Sequence, residues 1–414
     1  MRKPRLLVIS HVFPFPGKAG QQQRVYYTLK AVRELFHVTF LTIAEAGQVR
    51  SVREKLEDFC DEAVVLPSRY ARGRAARAGH RLAGRAYSIL TGLKPSNYAI
   101  GRVEFTPRRV ASAVSAANFD CVLFEYWHAA ACAPVFQEEG VPCILDMHNI
   151  LWQSYRRQLD ARPALPAWWK RRMVGQYRAR EEEAWRAFDA LITINAAEDE
   201  YVRGRLRDER PVFFAPMGTD LDLWSYSWQP AEPVRVAYYG GLGSPHNQND
   251  AVNCYREIMP DIWERFPDAE LWLVGSNPPE HLRALSSQDR RLKVTGFVEK
   301  AQDVLKTMSL VLCPWTGKYG FRSRVVEVMG LGVPLVTTLD AVHGMRLEHG
   351  EGLLLGEDSR QLASHALKLI SDPAYARAQS VLARRQVERQ YGMEQTYGKL
   401  AREMREWVLG GRVN

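Results

Sequence analysis

The chain has 414 residues, 46% of them hydrophobic and 25% charged, which fits a globular protein too long for one ordinary core. No apolar run approaches the roughly 20 residues of a membrane span, so we expect no membrane-spanning helix. The formal net charge is +9. Its excess is concentrated between Arg69 and Arg109, where ten basic residues accompany a single acid, Glu104, and this predicts an anionic partner.

The first ten residues predict a buried strand and not a signal peptide, because a charged start is followed by only a short apolar run. The cysteines are scattered, without a C-x-x-C pair. We therefore expect reduced core thiols in a cytoplasmic protein, with no disulfide framework and no metal site. The six positions are Cys60, Cys121, Cys132, Cys143, Cys254 and Cys313.

Short apolar runs, many of them β-branched, alternate with helical stretches along the chain. This alternation predicts parallel sheets built from right-handed βαβ units. A polar, tryptophan-containing stretch at 220–230 separates two such series, so we predict doubly wound domains at 1–222 and 223–392, followed by an amphipathic helix within 393–414. The predicted strands are 6–10, 38–43, 63–66, 121–126, 143–147, 190–195, 212–215, 234–239, 270–275, 292–296, 310–314, 334–337 and 352–355.

Loops that follow strands are the candidate binding loops, because doubly wound sheets bind ligands beyond the carboxyl ends of their strands. Gly17 and Gly20 lie in the loop after the first strand, His148 follows the fifth strand, and glycines at positions 240, 241 and 243 follow the eighth. Glycine lets a backbone approach a bound group closely. The alternatives are ordinary strand-to-helix connections and a histidine that only orients the next helix.

Residues 320–338 predict a loop, one short helix, a turn and a buried strand. The helix start offers free backbone N–H groups and a positive dipole end, beside Arg322 and Arg324. Glu327 lies one turn further on, on the same face as Ser323. Such cations suit a diphosphate, and such a carboxylate suits ribose hydroxyls. The alternative is a surface Arg324–Glu327 ion pair that contributes about 0.2–0.5 kcal/mol.

This stretch resembles the C-terminal signature of glycosyltransferase family 4, the retaining GT-B sugar transferases. The matching residues are Gly320, Arg322, Arg324, Glu327, Met329, Gly332, Pro334 and Val336. The resemblance implies an α/β GT-B fold, with two doubly wound Rossmann-like domains facing a central cleft. The first domain would bind the acceptor and the second the nucleotide-sugar. The terminal helix would cross back to the first domain.

The resemblance also implies roles for individual residues. It places His148, Arg322, Arg324 and Glu327 in the catalytic site. Gly275, Phe297 and Val298 resemble the parts of the family that line the nucleobase pocket. The full set of implied donor-binding residues is Gly20, Gly241, Gly243, Gly275, Phe297, Val298, Tyr319, Gly320, Phe321 and Ser323.

The chain departs from the family pattern in two places. Many members carry an Arg and a Lys where this chain has Gly241 and Asn247, so Arg322 and Arg324 would have to supply the missing charge. The family often has a second acid at the position of Tyr319, and that acid normally contacts the donor sugar. Its replacement leaves the sugar open.

The implied activity is transfer of a sugar from a nucleotide diphosphate sugar to a hydroxyl acceptor, with retention of anomeric configuration. The acceptor would be a polysaccharide, a lipid-linked glycan or a small molecule. No metal and no cofactor are expected. Two alternatives stay open: a GT-B nucleotide-sugar 2-epimerase, which needs acid and base side chains around the sugar, and a non-catalytic GT-B scaffold that binds a nucleotide or partner.

Two basic stretches predict a peripheral position on the inner face of a membrane. One runs from Arg69 to Arg109, and the other, from Trp168 to Arg172, combines a Trp pair with three cations. Basic helices with interfacial Trp suit an anionic membrane surface. The alternative is a solvated face with the Trp pair in the core. Nucleic-acid binding is not expected, because no recognition motif accompanies the charge.

Overall fold

All thirteen predicted strands are strands of two parallel sheets, to within one or two residues at each end. The computed structural model of the chain describes residues 2–15, 19–206, 210–318 and 320–410. It divides into a first unit, Met1–Pro216 with Tyr397–Asn414, and a second unit, Met217–Thr396. The first division falls a few residues before the boundary predicted at 222.

The first unit contains seven parallel strands in the order β3-β2-β1-β4-β5-β6-β7. Their apolar runs are almost continuous because helices cover both faces of the sheet. The strands are β1 (Arg5–Ile9), β2 (His37–Ala44), β3 (Glu62–Pro67), β4 (Cys121–Glu125), β5 (Cys143–Asp146), β6 (Ala190–Thr193) and β7 (Val212–Phe214).

The helices of the first unit are α1 (Gly20–Leu35), α2 (Val49–Leu56), α3 (Arg74–Thr91), α4 (Pro95–Tyr98), α5 (Pro107–Ala113), α6 (Ala133–Gln137), α7 (Leu151–Asp160), α8 (Ala167–Trp185), α9 (Ala196–Leu206) and the terminal α17 (Lys399–Gly410). Short 3-10 turns lie at Ala46–Gln48, Ala116–Asn118 and Trp127–Cys132, and a π-helical turn lies at Ala99–Glu104. Helix α17 packs on α1 and β7, where Leu400, Met404 and Val408 join a core with Val25 and Leu29.

The second unit repeats the same strand order in six parallel strands, β10-β9-β8-β11-β12-β13. The strands are β8 (Arg235–Tyr239), β9 (Glu270–Val274), β10 (Leu292–Gly296), β11 (Leu310–Cys313), β12 (Leu335–Thr338) and β13 (Leu353–Gly356). The helices are α10 (Pro245–Asn253), α11 (Met259–Arg265), α12 (Glu280–Gln288), α13 (Ala301–Leu305), α14 (Ser323–Leu331), α15 (Ser359–Ser371) and α16 (Pro373–Gln390). A π-helical turn lies at Cys254–Ile258, and another at Glu394–Gly398 joins the units.

Each sheet has one point at which the strand order reverses, between β1 and β4 and between β8 and β11. Loops leaving the two central strands at such a point diverge to opposite sides and leave a crevice at the carboxyl edge of the sheet. The loops predicted as binding loops, after β1, β5 and β8, all lie at carboxyl edges of strands.

Helix α14 has the form predicted for the 320–338 stretch. It begins at Ser323 after the N-cap Arg322, and it ends at Leu331. The C-cap Gly332 follows, and its left-handed φ of 76° lets the chain turn into β12. Pro334 then prevents the helix from continuing. Every residue of α14 from Val325 to Leu331 is buried, so the helix is a core element and not a surface helix.

Every cysteine is buried and carries a free thiol. Among the described residues, no helix is both long and apolar enough to span a membrane.

Two glycines before β13 provide a matched test of packing in the second unit. Both have left-handed φ, 84° at Gly350 and 96° at Gly352. A Cβ on Gly352 would lie 2.3 Å from the backbone of Ala383 in α16, whereas a Cβ on Gly350 would meet open space.

We expect Gly350→Ala to lose about 1–2 kcal/mol of stability through left-handed strain alone. Gly352→Ala should lose more, because the backbone of α16 must also move. Thermal unfolding of the two variants would measure the difference. Equal losses would mean that α16 does not pack on this turn as described.

Candidate nucleotide-sugar site and strand-end network

Glu327 is the central carboxylate of the second unit. It lies one turn into α14, is only 8% exposed, and accepts a hydrogen bond of 3.1 Å from the hydroxyl of Tyr239 at the end of β8. Burial raises the pKa of the Glu327 carboxyl above its usual range, while the charge of Arg324 and hydrogen bonds from Tyr239 and Ser323 act in the opposite direction. The alternative of a surface Arg324–Glu327 pair is wrong, since the carboxylate is buried.

The two predicted cations at the start of α14 have different surroundings. Arg324 places its guanidinium carbon 5.4 Å from the ring centre of Tyr239, beside the Glu327 carboxylate. Arg322 donates hydrogen bonds to the carbonyls of Thr316 (3.0 Å) and Gly317 (2.9 Å), and it lies over the Trp315 ring. Arg322 therefore holds the loop after β11, and Arg324 is the cation closest to the carboxylate.

The glycine loop after β8 packs directly against the turn after β9. A Cβ on Gly275 would lie 1.8 Å from the carbonyl oxygen of Gly240, so a side chain there would collide with backbone. Gly275 thus serves the contact between two loops. A Cβ on Gly241 would meet only Ser276 Oγ at 3.9 Å, and Gly243 faces Asn277.

Asn247 stands where the resemblance predicts a cation in many family members. It donates a hydrogen bond of 2.7 Å to the carbonyl of Gly241, and so closes the loop onto the first turn of α10. His246 contacts the carbonyl of Thr316 at 3.2 Å from the other side. These contacts join the loops after β8 and β11.

The remaining predicted donor residues are more dispersed. Gly320 has a left-handed φ of 58° just before α14, and Ser323 is half-buried at the helix start. Phe321 packs on the core and lies 5.7 Å from the ring of Tyr391. After β10, Phe297 is 68% exposed while Val298 packs on the core. Tyr319 lies outside the described residues.

In the first unit, His148 belongs to a buried polar network at the ends of β4 and β5. The strand register pairs Glu125 with Asp146, and His148 follows two residues later with φ of 56°. The His148 ring contacts the Glu125 carboxylate through Nε2, and its backbone N–H donates to Asp146 at 3.2 Å. Arg24 of α1 binds the other oxygen of Asp146 at 2.8 Å.

Aromatic rings surround this network. The ring of His148 stacks on Tyr126 at 4.1 Å, and the Tyr126 hydroxyl donates to Gln21 of α1. His11, after β1, lies 5.5 Å from the ring of His128, after β4. Burial, followed by the charge of His148, lowers the pKa of His11 to about 4, and burial lowers that of His128 to about 3. Both imidazoles are therefore neutral at pH 7.

Gly20 is the first residue of α1, the helix that also supplies Gln21 and Arg24 to this network. The Gln22 side chain accepts from the Ala19 N–H and donates to the carbonyl of Phe15 at 3.0 Å. These bonds tie the loop after β1 to the helix start. Gly17, from the same loop, lies outside the described residues.

Among the described residues, three side chains could in principle hold a metal ion. The candidate ligand atoms of Glu125, Asp146 and His148 lie within 4.8 Å of one another. Asp146 is already paired with Arg24, and Glu125 is already bonded to His148. Burial raises the pKa of Glu125, which disfavours the ionised ligand that a cation would need. We therefore interpret the trio as a hydrogen-bond network.

Several residues of both sites escaped the sequence analysis. Tyr239 is the partner of Glu327, and Glu125 and Asp146 are the partners of His148. Arg24 in turn binds Asp146. A charged residue at the last position of an apolar strand, as in Glu125 and Asp146, is a signal that could have been used. No pattern in the sequence indicates that Arg24 reaches Asp146 across 122 residues.

Two protein-family models together match most of the chain. Residues 19–218 match the model described as "Glycosyl transferase 4-like domain", and residues 233–372 match "Glycosyl transferases group 1". The chain belongs to the family 4-like glycosyltransferases. The predicted family is thereby confirmed. The predicted GT-B fold class is also confirmed, because the chain forms two parallel sheets and solved structures share its fold over nearly their whole length.

The relatives of this glycosyltransferase are distant. Phosphatidyl-myo-inositol mannosyltransferase of Mycobacterium tuberculosis is 25% identical over 160 residues, which span 37% of this chain and only 42% of the mannosyltransferase. The structure of Anabaena HepE in complex with UDP covers 98% of this chain and 99% of its own, with TM-score 0.63 and 15% identity. The structure of sucrose-phosphate synthase of Thermosynechococcus elongatus covers 99% of this chain and 100% of its own chain, with TM-score 0.64 and 15% identity.

The buried carboxyl of Glu327 should reduce the stability of the ligand-free protein. Burial raises the pKa of Glu327 in the folded protein above 4.5, the value of an ordinary glutamate. Below about pH 4.5 the carboxyl is protonated in both the folded and the unfolded state and does not reduce stability. As the pH rises from there through the folded-state pKa, the free energy of unfolding falls. Glu327→Gln keeps the shape without the charge. We expect its thermal midpoint to rise relative to wild type between about pH 4.5 and pH 8.

The exposed Glu299→Gln provides the control, because it removes one charge from the same unit without changing a buried group. Thermal unfolding of all three proteins across this pH range measures the effect. A Glu327→Gln variant that is less stable at pH 8 than at pH 5, relative to wild type, would contradict the assignment.

Proposed function

We propose that the chain is a retaining glycosyltransferase that takes a sugar from a nucleotide diphosphate sugar and transfers it to a hydroxyl acceptor. The observation that carries the proposal is the buried carboxylate of Glu327 at the carboxyl edge of the second sheet. Keeping an ionisable group there costs stability, so its presence calls for a ligand that uses it. Ribose hydroxyls, as two adjacent donors, are the ligand that we assign to it.

The diphosphate would lie at the start of α14. Backbone N–H groups and the positive end of the helix dipole favour an anion at such a site. Arg324 adds a full charge one residue into the helix, and Arg322 holds the loop beside it. We propose that these groups stabilise the leaving diphosphate without a metal ion.

The proposed reaction is a substitution at the anomeric carbon of the donor sugar. A new bond forms from the acceptor hydroxyl oxygen to this carbon, while the bond from the carbon to the diphosphate oxygen breaks. The bonding electron pair leaves with the diphosphate, and the hydroxyl proton is released. The products are the glycosylated acceptor, a nucleoside diphosphate and a proton.

We assign a catalytic role to His148 of the first unit. Its ring is held between the Tyr126 ring and the Glu125 carboxylate, so its orientation is set before a ligand binds. A polar group in this preorganised position would contact the acceptor hydroxyl, and it would affect turnover more than nucleotide affinity.

Uridine diphosphate is the first nucleotide to test. Anabaena HepE binds UDP, and this chain shares its fold over 98% of its length. The proposal is tested by incubating the protein with UDP-sugars, with and without candidate acceptors, and following the release of UDP. Conversion of the donor into an epimer, or tight binding without any turnover, would contradict the transferase proposal.

The charge at the diphosphate yields a specific prediction. Each charge-assisted bond to a phosphate contributes about 1.5–3 kcal/mol. We expect Arg324→Ala to weaken UDP binding about tenfold or more and to leave uridine binding almost unchanged, because 1.4 kcal/mol is a factor of ten. Isothermal titration of both ligands would measure this. Arg290→Ala, at an exposed arginine of the same unit, is the control.

Equal losses for UDP and uridine would make Arg324 a packing residue, whose role is to cover the Tyr239 ring. The control variant should bind both ligands as the wild type does.

The role of His148 is tested with asparagine, which tolerates the observed positive φ. We expect His148→Asn to reduce kcat by about a hundredfold, the lower range for loss of a positioned catalytic group, with little change in the Kd for UDP. Initial-rate kinetics and titration measure the two quantities. The exposed His281→Asn serves as control, and wild-type turnover of His148→Asn would leave His148 as a structural residue.

A further inference from the structure

Helix α3 of the first unit exposes an unusual amount of apolar surface. The described residues contain eight exposed large hydrophobic side chains, and three of them lie on this one helix. They are Leu82, Ile89 and Leu90, with 71%, 68% and 76% of their surface exposed. Single exposed apolar residues are ordinary, but a group of three on one helix indicates an interaction surface.

The opposite face of α3 is the one that packs on the protein. His80 contacts the Tyr98 hydroxyl at 3.3 Å, and the ring of Tyr87 lies 5.6 Å from the Tyr98 ring. A Cβ on Gly84 would lie 3.4 Å from Tyr98. These residues have the i, i+4, i+7 spacing of one helix face. Leu82 and Ile89, seven residues apart, therefore share the outward face.

The charge of α3 has one sign. The helix carries Arg74, Arg77, Arg81 and Arg85 and no acidic residue. Arg77 is paired with Glu45 at 2.8 Å. Within the described residues, the other three arginines take part in no ion pair, and all three are exposed.

We propose that this face of α3, formed by Leu82, Ile89 and Leu90 with Arg81 and Arg85, docks the protein on an anionic lipid membrane. The apolar side chains would enter the boundary between headgroups and acyl chains, and the guanidinium groups would bind lipid phosphates. Charge complementarity selects this occupant, because an apolar protein partner would leave the arginines beside it without counter-charges.

The neighbouring helix α8 carries a further exposed aromatic side chain near its start. The end of α3 packs on α8, since a Cβ on Gly92 would lie 2.6 Å from the side chain of Gln176. Trp168, two turns earlier in α8, is 61% exposed, whereas Trp169 packs on the core. An exposed Trp is a side chain suited to the membrane interface.

The structure also narrows the surface predicted from the sequence. Arg109 is buried and binds the Glu104 carboxylate at 2.7 Å, and Glu104 also accepts backbone N–H groups of Arg69 and Tyr70. The single acid of the segment from Arg69 to Arg109 is thus paired inside the protein and does not lie on its surface. The docking surface is the outward face of α3 and not the whole stretch from Arg69 to Arg109.

Vesicle sedimentation tests the proposal directly. The full chain should bind phosphatidylcholine vesicles that contain about 30% phosphatidylserine, and should bind pure phosphatidylcholine much more weakly. Replacing Leu82, Ile89 and Leu90 by Gln should weaken binding at least about tenfold. Replacing Arg81 and Arg85 by Gln should remove most of the preference for anionic lipid and its salt dependence.

The control replaces Leu223 and Leu339, each 50% exposed in the second unit, by Gln. This variant should bind vesicles like the wild type. UDP titration and thermal unfolding of every variant show that it remains folded. They also separate this proposal from the donor site, which we propose in the second unit, whereas α3 belongs to the first.

Two results would overturn the proposal. One is wild-type protein that does not bind anionic vesicles, or binds them as strongly after the triple apolar replacement. The other is a wild-type dimer in sedimentation equilibrium that the triple replacement dissociates without any vesicle binding, which would make this face a contact between two copies of the chain.

Discussion

Parallel pairing of β8 with β9 on one side and β11 on the other is the constraint on which the proposed donor site depends. In a parallel sheet all strands end at the same edge, so the loops after these three strands must meet there. The close approach of Gly275 to the carbonyl of Gly240 joins two of them, and Arg322 and His246 attach the third through Thr316. Helix α14 then presents Glu327 to Tyr239 at this edge.

The buried carboxylates of the two units are held in different ways. Asp146 is neutralised by Arg24 and accepts the N–H of His148, so its charge is satisfied within the protein. Glu327 accepts hydrogen bonds from hydroxyl groups, and the guanidinium of Arg324 lies nearby. These contacts do not offset burial, which still raises the pKa of Glu327. A charge compensated internally stabilises structure, whereas an incompletely compensated one is available to a ligand. This contrast is why we assign binding to Glu327 and positioning to Asp146.

The need to pair a buried charge also explains which charged residues of the segment from Arg69 to Arg109 are buried and which are exposed. Glu104 and Arg109 are buried as an ion pair, because a buried charge must be paired. The arginines of α3 remain outside, next to leucines and an isoleucine that have no core to enter. The net charge of the segment was readable in the sequence, but the separation into an internal pair and an external face follows from how α3 packs on Tyr98.

The sequence by itself determined the positions of the strands and their alternation with helices. Runs of apolar, β-branched residues identified all thirteen strands, and the Gly332 and Pro334 turn limited α14, because such local preferences act within a few residues. Only the tertiary structure decided which side chains meet. Arg24 and Asp146, or Tyr239 and Glu327, lie 122 and 88 residues apart, and strand order and register bring them together. Contacts at such separation leave no periodicity in the sequence, since they depend on the packed sheet and not on neighbours along the chain.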